Sequence, residues 1–102
     1  RERVLSVVEA SLGDPALRTV MLAQVCNISV RTIQNVFAGM GTTPTAYILE
    51  RRLRRAADRL VSTPDASITD IAFELGFNDS AYFARCFRQH FGVAPRDWRA
   101  AR

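Results

Sequence analysis

The stretch Ile68–Pro95, ITDIAFELGFNDSAYFARCFRQHFGVAP, constrains the fold more than any other part of the chain. Helical periodicity divides it in two. A short segment, Ile68 to Leu75, places Ile68, Ile71, Ala72 and Leu75 on one side, and Gly76 supplies a turn. A second amphipathic segment runs from about Asp79 to Phe91, with Phe83, Cys86, Phe87 and His90 at i, i+3, i+4, i+7. Two helices set about a glycine turn in this way make a helix-turn-helix. Ala81, Ala84, Arg85 and Arg88 face away from the stripe. A small, basic outer face on the second helix suits a helix laid in a DNA major groove.

Size and charge narrow the choice. With 102 residues the chain makes one modest domain, or two small units sharing a core. The net charge is +4, and all 14 cationic side chains are Arg. Arg offers a planar fork to phosphate and guanine, so this bias suits a polyanionic partner. A GC-rich genome that disfavours Lys codons produces the same bias. Nothing resembles a signal peptide, and no apolar run approaches the roughly 18 residues that span a bilayer, so a cytoplasmic protein with no membrane partner is expected. Arg1 is not preceded by an initiator Met, which leads us to expect a piece of something longer.

Enzymatic chemistry finds little support. His90 is the only histidine, and its place beside the buried stripe points to packing. Glu50, Asp58, Asp70, Glu74 and Asp79 are scattered at positions typical of solvated faces and helix starts. No Gly-rich phosphate loop or metal-spaced cluster occurs, and no cofactor is expected. Cys26 and Cys86 lie within apolar helical patterns and are read as small, reduced core residues.

The rest of the chain repeats the opening motif. Glu2 to Leu12 is helical in pattern, with Val4, Leu5, Val8 and Leu12 as its stripe, and Gly13, Asp14 and Pro15 end it. A second helix from about Arg18 or Thr19 to Cys26 should bury Leu22, Ala23 and Val25. Asn27 takes the turn position, where a left-handed backbone favours Gly or Asn. Ser29 is the expected N-cap of a third helix, whose stripe is Ile33, Val36, Phe37 and Met40. Its outer face carries Arg31, Gln34, Asn35 and Ala38. Leu22-Ala23 thus matches Ile71-Ala72, Asn27 matches Gly76, Phe37 matches Phe87, and Gly41 to Pro44 matches Gly92 to Pro95. The offset drifts along these pairs, as in a structural repeat with small insertions.

Between the repeats lies the longest helix. Thr43 caps it, Pro44 suits its first turn, and Ser62, Thr63 and Pro64 stop it. Ala46, Leu49, Leu53, Ala56, Ala57 and Leu60 form its apolar face, with Arg51, Arg52, Arg54, Arg55 and Arg59 around the remainder. The ordinary reading of such an Arg run is a solvated face. About eighteen residues span roughly 27 Å at 1.5 Å per residue. That is of the same order as the roughly 34 Å between successive major-groove faces on one side of B-DNA. A last short helix after Pro95 includes Trp98, expected to close the second core.

These residues carry a family resemblance. The pattern I68-x-x-I-A-x-x-x-G-F-x-x-x-x-Y-F-x-R-x-F-x-x-x-F-G-x-x-P95, with L22-A-x-x-x-x-x-S29, Phe37, G41-x-x-P44 and Tyr47, resembles the DNA-binding domain of the AraC/XylS family of bacterial transcription regulators. It covers essentially the whole chain to Trp98. The resemblance implies an all-α fold of seven helices, forming two homeodomain-like helix-turn-helix units (1–43 and 63–102) joined by a long helix (44–62). Two recognition helices would enter successive major-groove segments of one double-stranded promoter or operator site.

Carried over by position, the base-reading candidates are Arg31, Gln34 and Asn35 on the first recognition helix and Ser80, Ala81 and Arg85 on the second. Ser29, Thr43, Arg88 and Arg96 are the backbone-contact candidates. The resemblance also implies a contact with RNA polymerase, and a small-molecule effector only through a separate N-terminal domain. A helical module that docks on a partner protein is the rival reading. Two departures stand out. The family commonly has Arg where this chain has Asn35, and Asn favours adenine where Arg favours guanine. The family also places one residue more between the Phe and Gly that end the first recognition helix than separates Phe37 from Gly41, which implies a shortened helix end.

Overall fold

Polar caps and left-handed turn residues cut the chain into seven helices and no strands. The computed structural model describes residues 1–102. Its helices are α1 (Glu2–Ala10), α2 (Thr19–Cys26), α3 (Val30–Ala38), α4 (Pro44–Ser62), α5 (Ile68–Glu74), α6 (Ser80–Phe91) and α7 (Pro95–Ala100). Four starts are fixed by side chains. Ser29 accepts the Thr32 N–H at 3.0 Å, Thr43 that of Ala46 at 3.1 Å, and Ser67 that of Asp70 at 2.9 Å. Asp79 accepts from Ala81 and Tyr82 at 2.8 and 3.3 Å. Such a cap satisfies a donor that the helix start leaves orphaned and contributes about 1 kcal/mol.

The repeat anticipated from spacing recurs in the hydrogen bonds. At the α2–α3 turn Asn27 adopts φ 55°, and the Ile28 N–H donates to the Ala23 carbonyl at 3.0 Å. At the α5–α6 turn Gly76 adopts φ 86°, and the Phe77 N–H donates to the Ala72 carbonyl at 3.1 Å. Both bonds close the same wide loop over a left-handed residue.

The helices enclose one continuous core of 21 buried side chains. Leu22, Ile33 and Phe37 fill the first unit; Ile71, Phe83 and Phe87 fill the second. Leu53, Ala56, Ala57 and Leu60 of α4 belong to the same cluster, and α4 packs on α3 as well as on α5, α6 and α7. The second unit is aromatic at its base: Phe87 lies 4.6 Å from Phe91 and 5.8 Å from Trp98 between ring centroids. Trp98 donates its indole N–H to the Ala57 carbonyl at 3.2 Å, closing the core as expected. Arg99 donates to the Leu60 and Thr63 carbonyls, satisfying orphaned acceptors at the end of α4.

Several local expectations are corrected. Helix α1 stops at Ala10, and Leu12 is buried from the following turn rather than from the helix. On α2, Val25 is exposed and Cys26 is buried, because the helix presents Leu22, Ala23 and Cys26 to α3. Val36, Met40 and Ile68 are only half-buried. On α4, Ala46 is exposed, while Ile48 takes the inward place that its sequence neighbours suggested less clearly. The reason is that α4 packs against α3, α5, α6 and α7 together, so its buried residues do not follow a single stripe. On α6, His90 is exposed and the half-buried Phe91 takes the inward position, while Ala84 is half-buried instead of facing out. Both cysteines are buried and unpaired.

The Arg run on α4 departs most from a solvated face. Arg51 pairs with Glu9 of α1 at 2.7 Å, and Arg59 pairs with Glu74 of α5 at 2.6 Å. The hydrogen bonds it donates to the Glu9 carboxylate raise the pKa of Arg51 above its ordinary value. Arg52 reaches two backbone carbonyls, and burial lowers its pKa, partly offset by Asp14. A guanidinium starts so high that it stays charged in either case. Arg54 pairs only with Glu50, one turn before it, and Arg55 is the residue of the run that fits the solvated reading.

Candidate nucleic-acid interface

Buried stripes on α3 and α6 determine what those helices show to solvent. On α3, Ile33 and Phe37 point inward, which leaves Arg31, Gln34, Asn35 and Ala38 on the opposite face at i, i+3, i+4, i+7. On α6, Phe83, Cys86 and Phe87 point inward. Ala81, Arg85 and Arg88 are exposed on the other side at i, i+4, i+7, with Ser80 half-buried in the first turn. The two faces are therefore built alike. Helix α3 has 9 residues and α6 has 12: α3 ends one residue after Phe37, whereas α6 continues four residues past Phe87. After Ala38 the chain tightens through Gly39 and turns at Gly41, which has φ 78°.

The guanidiniums divide into two groups. Arg51, Arg52, Arg54 and Arg59 on α4 and Arg99 on α7 are drawn into the fold by Glu9, Glu50, Glu74 or backbone carbonyls, whereas Arg55 and Arg96 stay exposed. Arg31, Arg85 and Arg88 form no ion pair within the chain. Arg85 lies 5.8 Å from the Tyr82 ring centroid, a cation–π contact that presents the side chain alongside an exposed aromatic. These unpaired cations and the amides of Gln34 and Asn35 can donate to phosphate oxygens or to base edges.

The remaining candidates sit elsewhere. Ser29 and Thr43 are exposed, but their oxygens are engaged as helix caps; Ser29 also bonds the Thr32 hydroxyl at 2.9 Å. Arg96, at the start of α7, has an 85% exposed side chain and only a loose 3.8 Å pairing with Asp97. Tyr82 was not singled out from the sequence, since an exposed aromatic leaves no periodic trace. Its exposure and its contact with Arg85 place it beside the α6 face. No group of His, Cys, Asp or Glu is disposed to hold a metal, and no helix is long and apolar enough to cross a membrane.

Two capped units of this kind, fused through one helix and each showing a polar recognition face, define a tandem helix-turn-helix domain of the DNA-binding class. Comparison with known proteins agrees: a family model described as a helix-turn-helix domain matches residues 22–101. The chain belongs to the AraC/XylS family of transcription regulators. It is 40% identical over 93 residues to the transcriptional activator RhrA of Rhizobium meliloti strain 1021, covering 90% of this chain and 30% of that protein. The chain thus spans under a third of that relative.

Among solved structures, an AraC-type regulator from Chromobacterium violaceum is 35% identical with a TM-score of 0.86, covering 95% of this chain and 86% of that one. The DNA-binding domain of AdpA, a global transcriptional factor solved in complex with a target DNA, is 26% identical with a TM-score of 0.88. That match covers 98% of this chain and 89% of the AdpA chain. The function of the domain is DNA binding in transcription regulation.

Proposed function

We propose that α3 and α6 read successive major-groove segments of one asymmetric double-stranded site, and that the protein containing this domain activates transcription from a nearby promoter. The observation that carries this reading is the division among the arginines. The fold engages four of the five on α4, all but Arg55, while Arg31 on α3 and Arg85 and Arg88 on α6 stay free on groove-sized helix faces. Arg31, Gln34, Asn35, Ser80, Ala81 and Arg85 meet base edges. Ser29, Thr43, Arg88 and Arg96 meet the phosphate backbone, with Ser29 and Thr43 offering backbone N–H groups beside their caps. Asn35 selects adenine in its half-site. Selection of bound duplexes from a random pool tests the whole reading. A bipartite consensus with adenine in the first half supports it, and failure to enrich any sequence overturns it.

Two substitutions separate the roles. Arg85→Ala should weaken binding and relax selectivity at one or two base pairs of one half-site, with about 1–3 kcal/mol of discrimination lost there. An equal loss on every sequence would end its base-reading role. Arg88→Ala should weaken binding on all duplexes and lower the slope of log affinity against log salt by about one unit. An unchanged slope would remove the phosphate assignment.

In this reading 1–43 and 63–102 are the two readers and 44–62 the link, RNA polymerase is a further partner, and any effector acts through a separate domain. The protein works in the bacterial cytoplasm on the nucleoid. A second reading, docking on a partner protein, is favoured by the exposed Val20, Val25, Ile28 and Val30 around the α2–α3 turn. A salt-dependent shift of labelled promoter duplex, absent with a scrambled duplex, separates the two.

A further inference from the structure

Away from the faces proposed to meet DNA, polar ties converge on Arg52 in the middle of α4. Its Nε donates to the Leu12 carbonyl at 3.0 Å, and its Nη2 to the Asp14 carbonyl at 2.7 Å. Both acceptors belong to the α1–α2 loop of the first unit. The same guanidinium also abuts the turn of the second unit. A Cβ added to Gly76 would fall 2.7 Å from Arg52 Nη2 and 2.7 Å from the Leu12 carbonyl oxygen. From the opposite side, a Cβ on Gly13 would fall 2.7 Å from the Glu74 carbonyl oxygen. The loop of one unit and the turn of the other therefore touch backbone to backbone, with Arg52 clamped against both. This seam is open along one edge. A cleft of about 310 Å³, lined in part by Leu17, Ile48, Arg52, Phe77 and Tyr82, lies beside it.

We infer that Arg52 is a positioning residue that fixes the rotation of one helix-turn-helix unit against the other, and so selects the base-pair spacing accepted between the two half-sites. This rests on the tandem DNA reading above. Two acceptors two residues apart match the fork of a guanidinium, which holds both at once; a lysine ammonium is a single point charge. The open cleft interrupts the packing along that edge, so the clamp and the close glycine contacts act beside the shared core in setting the angle. Linked binding modules gain affinity only when both engage together. Inserting one base pair moves the second half-site by about 3.4 Å and turns it by about 35°, and a rigid reader cannot follow.

The test uses the bipartite duplex obtained by selection, with its native spacing, with one base pair added or removed, and as separate half-sites. Binding is measured at one salt concentration for the wild type, Arg52→Met, Arg52→Lys and Arg54→Met. The wild type should lose about tenfold or more on either altered spacing. Arg52→Met should bind separate half-sites like the wild type and the native duplex about tenfold more weakly, and discriminate among spacings by less than about threefold. Arg52→Lys should fall between the two. Arg54→Met removes the same charge from an exposed position on the same helix, paired only with Glu50 and away from the seam, and should keep the wild-type spacing preference.

The inference is overturned if folded Arg52→Met keeps the full spacing penalty, or if it loses half-site affinity by the same factor as full-site affinity. Should Arg52→Met fail to fold, Arg52→Lys is judged by the same two criteria. If neither folds, Arg52 is structural and the inference is withdrawn. A wild-type chain indifferent to spacing would instead sink the tandem reading itself.

Discussion

Phe87→Ala should lower the free energy of unfolding by about 3–5 kcal/mol, read as a fall in the urea midpoint at an unchanged slope. Phe87 is fully buried. Its ring meets Phe83 at 5.7 Å, Phe91 at 4.6 Å and Trp98 at 5.8 Å between centroids. Removing it loses the transfer energy of a large apolar group and leaves a cavity that three neighbouring rings cannot collapse into without leaving their rotamers. A single domain of this size has only about 5–15 kcal/mol of stability in total, so the variant should be partly unfolded at 37 °C. Because one core runs through both units, α3 should lose its DNA affinity along with α6. A loss of stability below about 1 kcal/mol would show that the second core is looser than its geometry indicates.

Gly76→Ala and Gly92→Ala should differ sharply although their backbones are alike. The two glycines have φ 86° and 82°, so each alanine bears the left-handed penalty of about 1–2 kcal/mol. A Cβ on Gly92 meets nothing within 4 Å. One on Gly76 would overlap the Leu12 carbonyl oxygen and the Arg52 guanidinium, each at 2.7 Å. Relieving that overlap requires the α1–α2 loop to retreat, which should add about 1–3 kcal/mol. Equilibrium unfolding of the two variants side by side isolates this packing cost, and equal losses would mean that the loop moves aside freely.

Much of the fold was legible because it is written in local chemistry. Ser29, Thr43 and Asp79 mark helix starts since a short polar side chain there replaces a missing backbone partner. Asn27 and Gly76 mark turns since few residues tolerate positive φ. Phe37, Phe83 and Phe87 mark the buried faces by helical spacing, and that in turn left Arg31, Gln34, Asn35 and Arg85 outside. Where a helix serves two neighbours, the period misleads: α4 swaps Ala46 for Ile48, and α6 swaps His90 for Phe91. A stripe read from sequence assumes one flat partner, and these helices pack against several.

The arginines draw the line most clearly. Their number and their helical spacing are sequence properties, and from these come a cationic domain, two helix-turn-helix units and the identity of the outward faces. Which guanidiniums the fold keeps is a tertiary matter. Arg52 and Arg55 stand three residues apart with the same charge, yet Arg52 is tied to carbonyls about forty residues away and Arg55 is left in water. Backbone carbonyls carry no side-chain signature, so no pattern along the chain announces such a partner. The sequence alone thus determined the family, the helices and which faces of α3 and α6 turn outward. Only the packed structure decided how the two readers are joined, because that depends on the loop at Gly13 meeting the turn at Gly76 in space.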